Sequence, residues 1–180
     1  MIDRRIVTAL AGLFALAAAL VTAPAAHAVE AVNVRLDAPA IDLTAATDLQ
    51  HTETDRIQVS TAPGPDGIVR RIEVRAREHN TNWAVFALTN NSDEQIDRLI
   101  VVPHYRMSGS GLIWPDLGLS RVASITPSTG DRPVRQASTT SDIFRVTLDP
   151  GTVITFVAEL RSGKLPQIYL WEPDAYKDKV

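Results

Sequence analysis

Four side chains with ligand-binding chemistry lie close together in the sequence. His104, Tyr105 and Arg106 are consecutive, and Trp114 follows in the segment LIWP, between glycines and a proline. A guanidinium offers a planar fork of donors to an anionic or sugar-like ligand, and Tyr and Trp offer apolar faces. The cluster predicts a ligand-binding rim. The alternative is structural: Tyr105 closes the core edge, Arg106 is solvated and Trp114 packs back on the domain.

The sequence holds no comparable pattern for catalysis. The stretch MSGSG at residues 107–111 lacks the Gly-x-Ser-x-Gly spacing of a nucleophile elbow. The neighbouring acids Asp93 with Glu94, and Glu172 with Asp174, lie in turn or tail contexts, which favours a solvated surface over the facing carboxylates of a glycosidase. We predict no catalytic residues, no enzyme activity and no cofactor. A hydrolase with a cleft that the sequence does not reveal is the least favoured alternative.

The composition narrows the function classes further. The chain has 180 residues, is 45% hydrophobic and 22% charged, and carries a formal net charge of -3. These values are typical of one globular domain and argue against a nucleic-acid partner. Cysteine is absent, which excludes disulfides, thiolate metal sites and iron–sulfur clusters. Four scattered histidines form no zinc-binding pattern, so we predict no metal site.

The N-terminus predicts export. Two arginines lie within the first five residues, residues 6–21 carry no charge, and Ala26 and Ala28 occupy the positions that a signal peptidase reads. The uncharged stretch is shorter than the roughly 20 apolar residues that a spanning helix needs. We therefore predict a signal peptide at residues 1–28, cleaved before Val29. Export without any cysteine is typical of a bacterial periplasmic protein.

The segments that must position His104, Tyr105, Arg106 and Trp114 are predicted to be almost entirely strands. Residues 68–76 alternate charged with apolar side chains, and NWAVFALT at 82–89 is apolar on both faces, as in a central strand. Residues 96–105 form the strand that pairs with it most simply, after a turn at Asn90-Asn91-Ser92-Asp93. Residues 106–119 predict a long loop with hydrophobic anchors. Residues 45–53 are the only candidate for a short helix.

Further strands are predicted at residues 122–126, 144–148, 153–160 and 168–171, with Asp-Pro-Gly at 149–151 as a strong turn signal. Many short strands separated by turns are typical of a sandwich. The predicted fold class is all-β: a β-sandwich, jelly-roll-like, of about eight or nine strands.

Several of these pieces together resemble a known family. They are the exported N-terminus, the strand WAVFALTN leading through a turn into IDRLIVVPHYR, and the terminal LPQIYLWEPDAY. The chain resembles the periplasmic sensor module of bacterial seven-transmembrane receptors with diverse intracellular signalling modules, which is similar to carbohydrate-binding jelly rolls. The resemblance covers roughly residues 30–180, although the strands before Ile68 match poorly. It implies a membrane-anchored receptor whose output is a cyclic-di-GMP (GGDEF or EAL) module, a histidine kinase or an adenylate cyclase.

These observations combine into one functional hypothesis. Residues 29–175 form an extracytoplasmic sensor domain, and residues 176–180 begin a linker to a membrane segment outside this chain. The expected ligand is a small molecule, for example a carbohydrate-like one, or a periplasmic protein, bound by His104, Tyr105, Arg106 and Trp114. The protein is expected in the periplasm, tethered to the inner membrane. The alternative is a free-standing periplasmic carbohydrate-binding or adhesion module.

Overall fold

The computed structural model describes residues 28–107, 113–115, 120–165 and 167–177, with the backbone alone described at residues 105–107 and 113–115. The predicted signal peptide lies outside these ranges except for its last residue. The described part contains one 3₁₀ turn, Thr44–Ala46, and one short helix, α1, at Pro173–Lys177. No helix in these ranges is long and apolar enough to cross a membrane.

Everything else that is regular in the described ranges is a strand. The strands are β1 (Ala31–Asn33), β2 (Ala40–Asp42), β3 (Asp48–His51), β4 (Arg56–Ser60), β5 (Arg71–Arg75), β6 (Asn82–Thr89), β7 (Ile96–Pro103), β8 (Tyr105–Met107), β9 (Ile113–Pro115), β10 (Val122–Pro127), β11 (Val134–Gln136), β12 (Ser141–Leu148), β13 (Val153–Leu160) and β14 (Tyr169–Trp171). They outnumber the eight or nine expected because strands of three residues are too short to show an alternating pattern.

The strands build two five-stranded sheets that enclose one main core. The front sheet has the order β1-β6-β13-β10, with β3 also paired to β6, and the back sheet has the order β11-β12-β7-β14-β2. Phe86 and Phe156 of the front sheet meet Ile100 and Leu170 of the back sheet, and all four are at most 1% exposed. The two phenyl rings stack with centroids 5.4 Å apart. The predicted all-β sandwich is confirmed.

Strands β6 and β7 do not pair with each other, so the predicted pairing is wrong. β6 pairs antiparallel with β13, and β7 pairs antiparallel with β12. The chain therefore crosses from the front sheet to the back sheet between β6 and β7. Both strands are eight residues long and almost wholly buried. Strands that are buried on both faces do not specify by their pattern which strand is the partner.

The turn at Asn90 is formed by side-chain hydrogen bonds, as its sequence predicts. The side-chain nitrogen Nδ2 of Asn90 donates to the main-chain carbonyl oxygens of Glu94 at 2.7 Å and Leu148 at 2.9 Å. The side-chain oxygen Oδ1 accepts from the main-chain N–H and the hydroxyl of Ser92. Gly151, with φ +68°, donates its N–H to the Asn90 carbonyl. The Asn turn and the Asp-Pro-Gly turn therefore hold each other at one end of the sandwich.

A hairpin explains why β6 is apolar on both faces. Strands β4 and β5 pair with each other and cover the outer face of the front sheet. Ile57 and Val74 of the hairpin pack against Trp83, Val85 and Val157 in a second buried cluster. This cover accounts for the burial of the second face of β6.

Two other expectations differ from the structure. Residues 45–53 contain the end of the 3₁₀ turn and strand β3 instead of a helix, because β3 gains hydrogen bonds from the edge of β6. Residues 106–119 include regular elements, since β8 and β9 form a two-stranded ribbon. The segment is therefore not only a loop.

Candidate functional site

The ribbon brings the predicted ligand-binding residues together along the backbone. Strands β8 and β9 pair antiparallel, with Arg106 opposite Trp114 and Tyr105 opposite Pro115. Directly opposite residues of an antiparallel pair have their Cβ atoms about 5 Å apart. Arg106 and Trp114 are therefore neighbours across the ribbon, although eight positions separate them in the sequence.

His104 lies at the base of the ribbon and faces inward. Its main-chain N–H donates to the Thr140 carbonyl at 2.9 Å, and its side chain is 11% exposed. The ring Nε2 is 3.3 Å from Asp142 Oδ2, but the angles do not make this contact a hydrogen bond, and within the described residues neither ring nitrogen has a hydrogen-bond partner. His104 therefore forms part of the floor beneath the ribbon.

Asp142 is the centre of this floor. Its side chain is 1% exposed. Oδ2 accepts from the main-chain N–H groups of Arg121 at 2.6 Å and Val122 at 3.0 Å, and Oδ1 accepts from the Ser120 hydroxyl and from Arg135 Nη1 at 3.0 Å. Burial alone would raise the pKa of Asp142, but these hydrogen bonds outweigh it and hold the pKa below its ordinary value.

The Asp142 contacts fix both ends of the segment that carries the ribbon. The chain leaves the sandwich at His104, beside the carboxylate, and its described part resumes at residues 120–122, which donate to the same carboxylate. Asp142 thus joins the departing and the returning strand, because its main chain pairs with Val102 of β7 and its side chain accepts from residues 120–122. The ribbon is anchored on the rigid sandwich, the arrangement on which binding loops commonly rely.

Arg135 of β11 completes the floor. Besides its bond to Asp142, its guanidinium donates to the carbonyl oxygens of Val122 and Ala123. The guanidinium carbon also lies 4.6 Å from the centroid of the Phe144 ring, a cation–π geometry. Arg135 therefore ties the start of β10 to the back sheet.

Sequence reasoning missed both Asp142 and Arg135. A signal was present for Asp142: in SDIFRVTL, the period of two places Asp142 on the same face as Phe144 and Val146, both buried. A charged residue in register with core residues indicates a buried, hydrogen-bonded carboxylate. Arg135 gave no comparable signal, because its strand is only three residues long and none of the three is buried.

A second buried carboxylate organises the neighbouring loop at the start of β6. Glu159 of β13 is 1% exposed and accepts from the main-chain N–H groups of Arg77 at 2.7 Å and Glu78 at 2.9 Å, and from the Asn80 side chain at 2.9 Å. Burial would raise its pKa, but these bonds together lower it. The Ser124 hydroxyl also donates to it. Strand β10 therefore begins between two buried carboxylates.

The described residues contain no group of three or more His, Asp or Glu side chains placed to hold a metal ion. In the backbone register of the ribbon, Arg106, whose side-chain type carries a forked donor, lies opposite Trp114, an aromatic residue.

The part of the chain from β5 to just after β14 matches a known protein family. Residues 72–172 match the family model described as 7TMR-DISM extracellular 2. The chain belongs to this family. The matched range begins within β5 and ends just after β14, so the 7TMR-DISM extracellular 2 match contains the ribbon, Asp142 and Glu159. No curated protein and no solved structure matches the chain.

Membership of the 7TMR-DISM extracellular 2 family defines the broad function. The family is the periplasmic sensor module of seven-transmembrane receptors, so the domain is an extracellular sensing module of a membrane receptor and its placement is periplasmic. The family is non-catalytic in itself. The poor match expected for the opening strands agrees with a matched range that starts at Ile72.

Proposed function

We propose that this sensing module binds its ligand at the ribbon, through Tyr105, Arg106 and Trp114, with His104 in the floor. The observation that supports the site is the register of the ribbon, which pairs Arg106 with Trp114. Arg106 supplies directional donors and Trp114 an apolar face, a combination common in ligand pockets. A small molecule with an anionic or hydroxylated edge and an apolar face suits both. A periplasmic protein that presents such a group is the other possible partner.

The path from the ribbon to the C-terminus is short, which supports a sensing role. β8 follows β7 after one residue, and the middle of β7 pairs with β14, with Val101 opposite Tyr169 and Leu99 opposite Trp171. β14 then leads into α1. A ligand that prefers one arrangement of the ribbon and β7 would bias the position of β14, by no more than its difference in affinity for the two arrangements.

In the proposed receptor, α1 and the linker after it carry this bias to a membrane segment and then to a cytoplasmic output, a cyclic-di-GMP (GGDEF or EAL) module or a kinase. The reading frame that follows codon 180 tests this arrangement directly. An open frame that encodes apolar segments and a signalling module supports the receptor. A stop codon at that point favours the free-standing carbohydrate-binding or adhesion module.

The binding site is tested with the purified domain and a low-molecular-mass filtrate of bacterial periplasm. We expect the filtrate to raise the melting temperature of the wild type and of a control variant, Arg71→Ala, on the distant hairpin. Arg106→Ala and Trp114→Ala should lose this rise, and Arg106→Lys should weaken it, because Lys keeps the charge but lacks the planar fork. A full response in both alanine variants would place the ligand elsewhere on the sandwich.

A further inference from the structure

The outer face of the back sheet carries a cleft, and helix α1 forms its second wall. The cleft has a volume of about 850 Å³, which lies in the range of small-ligand sites. Its sheet wall includes Leu99 of β7 and Ile143 of β12, and its other wall includes Pro173 and Tyr176 of α1. A molecule in this cleft would touch the sandwich and the last described element of the chain at the same time.

An aromatic contact joins α1 to the sheet. The helix is five residues long, too short to be stable by itself in water. Tyr176 packs edge-on against Trp171, with ring centroids 5.9 Å apart. Both rings pack on the buried cluster Leu99, Val101 and Ile143. The docked position of α1 therefore depends on the Tyr176 ring.

The charges around the cleft are balanced. Two ion pairs line it, Asp97 with Arg145 and Asp174 with Lys177. Glu172 is attracted by the buried guanidinium of Arg98, which donates to main-chain carbonyls. A charged ligand would compete with these interactions and lose its own hydration. A neutral ligand would keep the pairs and use their outer atoms as hydrogen-bond partners.

We propose that this cleft binds a neutral, ring-containing molecule with amide or hydroxyl groups, and that the bound molecule holds α1 in its docked position. The apolar floor and the Tyr176 ring receive the face of the ligand ring, and the ion pairs meet its polar groups at the rim. The coupling of this site to an output rests on the proposed sensing function, whereas binding and docking do not.

The ligand class is tested with three probes that share one ring: benzamide, which is neutral, benzoate, which is an anion, and benzylammonium, which is a cation. Each is titrated into the ¹⁵N-labelled domain to about 20 mM, because fragments of this size bind in the millimolar range. We expect benzamide to shift the amide resonances of Leu99, Ile143 and Tyr176, and the charged probes to bind at least about threefold more weakly. Tyr176→Phe should keep benzamide binding and Tyr176→Ala should lose it.

Three results would overturn the ligand class or the site: stronger binding of a charged probe, no shift of cleft resonances by benzamide, or shifts confined to the ribbon. The last result would leave the ribbon proposal intact. Conversely, benzamide binding in the cleft together with an unchanged filtrate response in both Arg106→Ala and Trp114→Ala would overturn the ribbon site alone.

The docking of α1 is tested by hydrogen exchange at the main-chain amide of residue 176, which donates to the Glu172 carbonyl at 3.0 Å. Tyr176→Ala should raise its exchange rate by up to about tenfold, as expected for the loss of a half-buried aromatic pair, and leave the β7 amides unchanged. Tyr176→Phe should exchange like the wild type. Benzamide should slow the exchange in the wild type. Equal rates in Tyr176→Ala and the wild type, or no effect of benzamide, would refute the proposal.

Discussion

The substitution Asp142→Asn tests whether one buried carboxylate holds both ends of the ribbon segment. An amide has nearly the same shape but only one acceptor oxygen, and its NH₂ group must face donors in either orientation. If the NH₂ group takes the place of Oδ2, the N–H groups of Arg121 and Val122 lose their acceptor. If it takes the place of Oδ1, the Ser120 hydroxyl can rotate to accept, but Arg135 loses its charged partner.

The second orientation is the less costly one, so the variant should adopt it, and it sets the expected loss in the free energy of unfolding. A hydrogen bond between charged groups contributes about 1.5–3 kcal/mol, and the N–H bonds to residues 121 and 122 each weaken when their acceptor becomes neutral. The first orientation leaves two buried donors without partners, at about 1–3 kcal/mol each. We therefore expect Asp142→Asn to lower the free energy of unfolding by about 2–4 kcal/mol.

Urea denaturation followed by circular dichroism measures this loss. With a slope of about 2 kcal/mol per molar urea, the midpoint should fall by roughly 1–2 M. The matched control is Asp97→Asn in the same sheet. Asp97 is 38% exposed and pairs with Arg145, so its loss should cost less than about 1 kcal/mol.

Hydrogen exchange adds a local measurement. In Asp142→Asn, the His104 amide, which donates to Thr140, should exchange faster than the amides in the middle of β7. A midpoint shift no larger than that of Asp97→Asn, with unchanged exchange at His104, would refute the view that Asp142 anchors the ribbon.

Four further predictions concern the core, the Glu159 carboxylate, the pH dependence of stability and the N-terminus. Phe156→Ala should cost about 3–5 kcal/mol in urea denaturation, and Trp114→Ala clearly less if that residue serves binding; equal costs would make Trp114 a core residue. Glu159→Gln should speed exchange at the amides of residues 77 and 78 relative to the wild type, and unchanged rates there would contradict its role in the loop. Because the fold lowers the pKa values of Asp142 and Glu159, the unfolded chain binds more protons between the folded and the unfolded values. The free energy of unfolding should then stay constant at pH values above the ordinary carboxyl pKa and fall as the pH drops through the folded pKa values, more steeply in the wild type than in Asp142→Asn. Parallel curves for the two proteins would argue against this linkage. Intact-mass measurement of protein from a bacterial periplasm should give a chain that begins at Val29, and retained residues 1–28 would contradict the predicted cleavage.

The ribbon shows how far sequence reasoning reached towards the site. The residue types and the position at the end of a strand led to the choice of Arg106 and Trp114, because a guanidinium offers a forked donor and an indole an apolar face. Their pairing across the ribbon was not predicted, since the segment was expected to be a loop. Trp114 lies in a strand of three residues, which is too short for a period of two to be recognised.

The contacts that anchor the ribbon could not be predicted from the sequence for a different reason. Asp142 could have been noticed as a charged residue in register with Phe144 and Val146. Three of its hydrogen-bond partners, however, lie 20 or more positions away in the sequence: Ser120, Arg121 and Val122. Nothing in the sequence relates those positions to each other. They meet because β10 and β12, in opposite sheets, start at the same end of the sandwich.

By itself, the sequence determined that the chain forms strands, where β6 and β13 begin and end, and where the Asn90 and Gly151 turns occur. These properties depend on residues within a few positions of one another, through the pleat of a strand and the backbone preferences of Asn, Pro and Gly. Only the tertiary structure decided that β6 pairs with β13 instead of β7, that Asp142 and Glu159 are buried acceptors, and that α1 closes a cleft. Those properties depend on contacts between distant segments, whose choice among several apolar partners is made by the packing of the whole domain.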